Sequence, residues 1–501
     1  MAKFKRYDYS QKVLIPVCLE EQLEAGSLEF AIHTLIETRL DMSVFEGNYK
    51  NDETGRSAYD PKILLKVVLF GYSRGLISSR DIERACCENV TFMALSGNQR
   101  PDHSTIAAFV SSMKDQILPL YCNILLVCEQ ENLLDGSFFA LDGLKLPSNA
   151  SMQWSGKLSE IGKKKEKIEH KVKQLLAQQI TTDKQAGSQS ADGSRRQRQI
   201  DKLQKQAERI DKWLKENDAK IGSKGRELQS NVTDNESAKM KTSHGTMQGY
   251  NGQALVDKKH QVIVHAQAFG NAHDHQHLAP MIDGAKDNLK RIGKSEDYFE
   301  DTIFTADTNY HNQSNLKKCQ EEKLDAYIPD LKFRSRDPRF ATQRRYQPKK
   351  GKKFVLADFK YDPQKDHYIC PNGKVLKLNV KKYVQDRNIY RRYMSDAKDC
   401  ARCSLRPRCF YRKNTKRRTL DVPIGAEKNN FSKAMLKKIE SDKGRQIYPQ
   451  RMAIVEPVFA NIRARKRMDR FTLRGKIKVN IQWMLYCMVH NIEKIVNYGF
   501  T

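Results

Sequence analysis

Apolar positions along the chain fall into alternating rhythms. From residue 1 to about 130 they recur at helical spacing, as in LEFAIHTLIETRL and YDPKILLKVVLFGYSRGL, with breaks at Gly71, Gly75 and Gly97. SSRDIERACCENVTFMALSG opens on serines placed to cap a helix, and PDHSTIAAFVSSM starts another behind Asp102 or Ser104. The pair reads either as a helix-turn-helix or as ordinary core packing and dimerisation, since the second helix lacks a basic recognition face. Next, FFALDG predicts a strand ending in a turn at Asp142 and Gly143, and Asp-Gly by itself is chiefly a turn former.

Residues 151–224 return to helical spacing. Leu158, Ile161, Ile168, Val172 and Leu175 form one seam, interrupted by Lys165; Ile200, Leu203, Ala207, Ile210, Leu214 and Ile221 form a second. The polar stretch TTDKQAGSQSADGSRRQ separates them, so an antiparallel helical hairpin is expected. Its basic outer faces could follow a DNA backbone or simply be solvated. From about 225 the period shortens. GYNGQALVDKK and HQVIVHAQAFG predict a β-hairpin, and DTIFTADTNYHNQSNLKKCQEEKLDAYIPD predicts strand, acidic loop, helix and strand. Asp307 then sits at the C-terminal end of a strand, where open α/β sheets place ligand residues. The fold class is therefore α/β, α+β overall. The parts are a helical domain at 1–130, a core from 131–150, 225–330 and 446–501, a hairpin insertion at 151–224 and a basic insertion at 331–445. A strongly apolar helix, VNIQWMLYCMVHNIEKIV, should close the core against the sheet.

Charge changes this picture most. Across 501 residues, 89 Lys and Arg oppose 60 Asp and Glu, a net +29, which makes nucleic acid the expected partner. No apolar run is long enough to span a bilayer and MAKFKRYDYSQ is not a signal peptide, so a cytoplasmic, nucleoid-associated protein is expected. The segment LKFRSRDPRFATQRRYQPKKGKK interleaves Phe333, Phe340 and Tyr346 with bases, as suits phosphates and stacked bases, or else disorder. Eleven cysteines, two of them adjacent, argue against a disulfide framework. Cys370, Cys400, Cys403 and Cys409 offer four soft ligands for structural Zn2+, with free thiols as the alternative. His273, His275 and His277 alternate around Asp274 but suit no common metal site, and a solvated loop is expected.

One acid stands out near the end. In YPQRMAIVEPVFANIRARKRM, Glu456 is the single acid in an apolar and basic run, and in a continuous helix Arg463 and Arg467 would share its face. A salt bridge explains that as readily as a phosphate-handling site. Pro457 places Glu456 either at a helix start or at a kink.

YDPKILLK, DHSTIAAF, ALDGLKLPSNAS, TADTNYHNQSNL, YPQRMAIVEPVFANIR, FTLRGKIKV and VHNIEK occur in an order that resembles the DDE transposases of bacterial insertion sequences, from about residue 55 to the end. The resemblance implies an RNase H-like mixed sheet with flanking helices, and a catalytic triad of Asp142, Asp307 and Glu456 holding two Mg2+ (or Mn2+) ions, with Asp142 bridging them. Tyr448, Arg451 and Arg463 match the accompanying signature, with Arg467 beside them; Arg463 stands where Lys is usual, and Arg451 is one residue farther from Glu456 than in the common form. It implies cleavage at element ends and strand transfer into target DNA, by a homodimer. A nuclease on the same core, or a DNA-binding regulator without chemistry, are the rival readings.

Overall fold

The computed structural model describes residues 18–49, 57–185, 191–222, 225–242, 245–346, 353–385, 388–412, 414–424 and 431–499. Its first helices lie between Leu28 and Gln130, and all but the last, Ile117–Gln130, start at capping side chains. Asp102, not Ser104, caps His103–Ser112, accepting from the amides of Ser104 and Thr105 at 2.8 and 3.0 Å. Asn89 ends Ser79–Glu88 and caps Val90–Leu95, dividing the stretch that periodicity alone suggested was one helix. These helices share one continuous apolar core with the sheet. The Tyr121 hydroxyl donates to the Ile263 carbonyl at 2.6 Å, inside that core.

The sheet begins where the chain is continuously apolar. β1 (Phe138–Pro147) buries Phe138 through Leu141 completely, as a strand covered on both faces must. It runs straight through Asp142 and Gly143, so the expected turn is absent. The reason lies in the neighbouring strand: pairing continues without interruption from Phe139↔Asp257 to Pro147↔Gly249.

After β1 the chain leaves the sheet as α1 (Leu158–Gln185) and returns through α2 (Ala191–Glu216). Ile161 packs with Ile210 and Trp213, and Val172 and Leu175 with Ile200, which makes the pair antiparallel as expected. Lys165, the interruption in the seam, pairs with Asp211 across the hairpin. Lys165 and then Lys215 hold the Asp211 carboxyl down at about 2. Much of the expected linker is helical instead, because its Gln, Lys, Arg and Ala residues extend both helices to within a few residues of each other; the turn itself lies outside the described residues. Ile221 is exposed beyond α2 and does not belong to the seam.

β2 (Gly245–Asp257) and β3 (Ile263–Phe269) form the expected antiparallel pair, and β4 (Ile303–Ala306) and β5 (Asp325–Tyr327) follow, each after a helix. β4 pairs parallel with β1, and β5 parallel with β4. The order is β3-β2-β1-β4-β5, with a short strand, Ala238–Thr242, against the start of β2. The basic stretch then folds inward. Arg334 lies 5.4, 5.6 and 5.7 Å from the ring centres of Phe333, Phe340 and Tyr346, so these aromatics surround a guanidinium and are not free to stack on bases. Residues 347–352 of that stretch lie outside the described residues. Beyond it stands a separate five-stranded antiparallel sheet with its own core of Phe359, Leu376, Tyr393 and Leu420.

The chain closes with α3 (Gln450–Ala460), a π-helical turn at Asn461–Arg465 and α4 (Lys476–Tyr498). α4 packs on the sheet as expected. Asn491 binds both the amide and the carbonyl of Ile263 at 2.9 Å, meeting backbone groups of edge strand β3 that no strand covers. Trp483 sits over Gly252 and donates to the Gln253 carbonyl at 2.9 Å. No described helix is long and apolar enough to cross a membrane.

Candidate active site

The site is built where β1 and β4 run side by side. Leu141 is level with Ala306 in this parallel pair, so the next residues along, Asp142 and Asp307, stand beside each other roughly 5 Å apart at Cα. Asp307 ends its strand and caps the turn Thr308–Tyr310, accepting from the Asn309 amide at 2.7 Å. Burial first, and then the charge of Asp142, push the Asp307 carboxyl up to about 6.

α3 supplies the counter-charge. Arg451 Nη1 donates to Asp142 Oδ2 at 2.7 Å, and both side chains are largely covered. Arg451 Nε is buried without a protein partner. Tyr448, one turn earlier, is half-buried with its ring edge-on to Phe333 at 5.2 Å. Burial raises its phenol; Arg451 opposes the rise and Asp307 adds to it, so all three groups share one electrostatic environment.

Asp142, Asp307, Tyr448 and Arg451 are therefore brought together, and three other residues are not. Glu456 is exposed, and five positions along a helix turn it about 140° from Arg451. Pro457 lies inside α3, so Glu456 is within the helix and not at its start. The carbonyl left without an N–H by Pro457, that of Ala453, accepts instead from Gln261 Nε2 at 2.9 Å. Arg463 is exposed in the π-helical turn, and Arg467 lies beyond it with φ 52°, its side chain against Gly75. The helix ends before either arginine, so the common face expected for Glu456, Arg463 and Arg467 does not form.

Behind the acid pair lies a polar network that periodicity did not reveal. Asp274 is buried and accepts from Lys145 at 3.0 Å, Asn251 at 2.5 Å, Gln253 at 3.3 Å and Asn309 at 3.4 Å. Asn309 Nδ2 also donates to Asp307 Oδ2 at 3.1 Å, linking the two acids. Gly143 makes room for this network: a Cβ there would stand 2.0 Å from Gln253 Nε2 and 2.6 Å from Asn251 Oδ1. The glycine of the Asp-Gly pair thus permits packing, not a turn. Of the alternating histidines, His273 and His275 are exposed as expected, but His277 is buried and stacked on Phe269 at 4.1 Å. Burial holds His277 down at about 4. The legible signal for Asp274 was an acid enclosed by histidines; for Asn309 it was its place two residues after Asp307.

In the insertion, Cys370, Cys400, Cys403 and Cys409 are half-buried. Burial pushes the Cys409 thiol up, and the other three thiols add to the rise, so the four are electrostatic neighbours. Ser395 Oγ lies 3.0 Å from Cys400 Sγ, and the Lys374 amide donates to Cys370 Sγ at 3.3 Å. Among the described residues, no group of three or more His, Cys, Asp or Glu side chains is arranged to hold a metal ion.

Residues 17–112 match the family model of a transposase domain (DUF772), and residues 369–496 match that of a transposase DDE domain. Both matches support an insertion-sequence DDE transposase. The second match covers the four cysteines of the insertion, Tyr448, α3 with Arg451 and Glu456, and most of α4; Asp142 and Asp307 lie upstream of it. No curated relative matches the chain.

Proposed function

We propose that this transposase cleaves DNA at the ends of its mobile element and joins the freed ends to target DNA, working as a homodimer on an RNase H-like core. The observation that carries the reading is the pairing of Asp142 and Asp307 at one level of two parallel strands, with the affinity of Asp307 for a proton raised by burial and by its neighbour. The strand order β3-β2-β1-β4-β5, antiparallel on one side of β1 and parallel on the other, supports the core assignment.

Asp142, Asp307 and Glu456 offer only carboxylate oxygens, the donors that Mg2+ or Mn2+ takes. Two such ions supply Lewis acidity to the attacking and leaving oxygens of an in-line displacement at phosphorus. Asp142 and Asp307 are already paired for this; Glu456 joins them by a movement of α3, whose hydrogen-bond ladder is interrupted by Pro457 and followed by a π-helical turn. Arg451 neutralises Asp142 in the free protein, and its unpartnered Nε is a donor for a phosphate oxygen. Tyr448 orients the DNA end beside it, while Arg463 and Arg467 contact backbone away from the reacting phosphate. Water attacks first and frees a 3′-hydroxyl, which then attacks target DNA at the same site. The four insertion thiols are electrostatic neighbours that are not gathered into a metal-holding group among the described residues; drawn together they would hold structural Zn2+, with the Lys374 amide donating to Cys370 sulfur and the Ser395 hydroxyl beside Cys400.

Purified protein, Mg2+ and duplex DNA carrying the element ends test the reading. The parent should give cleaved and then joined products, and Asp142→Asn, Asp307→Asn and Glu456→Gln should each lower cleavage by roughly a thousandfold or more. Cleavage by Asp307→Asn at the parent rate would overturn the site assignment; cleavage without joining would favour a nuclease.

A further inference from the structure

The outer face of α2 carries an arrangement that the transposase reading does not use. Arg195, Arg198, Lys202, Lys205, Arg209 and Lys212 recur at intervals of three and four, so they form one stripe along the helix. All six are exposed, and the buried residues Ile200, Ala207 and Ile210 lie on the opposite side against α1. The stripe rises through 17 residues, about 26 Å of straight helix.

Among the described residues most of its charge is not neutralised. Arg195, Arg198, Lys202, Lys205 and Arg209 have no carboxylate partner among the described residues, and Lys212 has only Glu216 at 3.8 Å. Two of the hairpin's other acids, Asp201 and Glu208, flank one margin of the stripe and form no ion pair with it among the described residues. Asp211 is held by Lys165 and Lys215, and Asp201 accepts from Gln197 at 2.8 Å. α1 differs: its exposed Lys163, Lys167, Lys171 and Lys173 are interleaved with Glu160, Glu166 and Glu169, so its outer face is mixed in sign. A solvated helix needs no such segregation, and six like charges along one line repel one another.

We propose that this stripe is a docking surface for the phosphate backbone of duplex DNA, holding the DNA whose end reaches Asp142 and Asp307. The partner follows from the chemistry. The charge is linear, rigid and rich in arginine, which matches a regular row of phosphates. No aromatic residue lies within the stripe, so single strands, which bind by base stacking, are a poorer fit. The hairpin also leaves the sheet from the end toward which β1 and β4 both run, the end where Asp307 stands. The identity of the DNA as a transposition substrate rests on the function proposed above; the binding itself does not.

The test uses the full chain and a duplex longer than the stripe, with affinity followed across a salt series. One variant combines Arg198→Gln, Lys202→Gln, Lys205→Gln and Arg209→Gln; the control removes equal charge from the mixed face with Lys163→Gln, Lys167→Gln, Lys171→Gln and Lys173→Gln. Glutamine keeps helix propensity, and circular dichroism checks that both variants fold. The stripe variant should bind at least tenfold more weakly near physiological salt and lose roughly 2 to 4 from the slope of log affinity against log salt, with the control close to the parent. Equal losses in both variants, no loss in either, or equal retention of an acidic polypeptide of matched charge would overturn the proposal. A parent that cleaves DNA while the stripe variant binds normally defeats the docking surface alone. Stripe-dependent binding by a parent that never cleaves defeats the transposition chemistry alone.

Discussion

At the scale of residues, the same sequence letters acquire different work from their surroundings. Asp142 and Gly143 spell a turn, yet both lie in mid-strand, the glycine because Gln253 and Asn251 occupy the space of a side chain. Asp257 shows the energetic side. It is fully buried, it accepts from the Gly136 and Lys259 amides at 3.0 and 2.8 Å, and burial nevertheless pushes its carboxyl up to about 6. A carboxyl raised in the folded state contributes its full stability below about pH 4, and that contribution is lost as pH rises through 6. Asp257→Asn removes the titration, so between pH 4 and pH 7 the unfolding free energy should move in favour of the variant relative to the parent by about 2–3 kcal/mol. Urea unfolding of both proteins at several pH values checks this; a constant difference would mean that Asp257 does not titrate in that window.

At the scale of elements, spacing was a good guide wherever an element buries one face. The hairpin seams, the β2–β3 pair, β4 ending at Asp307 and the apolar closing helix are all legible, because burial on one side imposes a period on the sequence. α3 was less legible. Its proline is tolerated inside the helix because Gln261, 192 residues from Ala453, donates to the Ala453 carbonyl that the proline leaves free. The insertion makes its own prediction at this scale. Its apolar core is small, so Cys403→Ser should lower bound zinc to below one ion per chain and make residues 370–409 the first to be cut by protease, while the fold elsewhere keeps its melting temperature. Metal analysis of the purified variant decides it, and unchanged zinc content would remove Cys403 from the ligand set.

At the scale of the whole molecule, the helical region and the sheet are joined by their core. Tyr72 stacks on Tyr486 of α4, with ring centres 4.5 Å apart and planes 11° from parallel, and both are buried. Tyr72→Ala should cost about 3 kcal/mol and lower the melting of helical and sheet signals together. Separate transitions would show instead that the helical region folds by itself.

What the sequence by itself determined is local: the periods of helices and strands, the strand end that presents Asp307, the excess positive charge, and the order of motifs that resembles a DDE transposase. The tertiary structure alone decided which of those residues meet. Asp142 and Arg451 are 309 positions apart and touch; Asp274 and Asn309 support Asp307 through side-chain bonds that no period encodes. Glu456, five residues from Arg451, faces solvent. The physical reason is that burial pattern records only which side of an element is covered. Register between strands, and the turn of a helix about its own axis, are set by side chains distant in the chain.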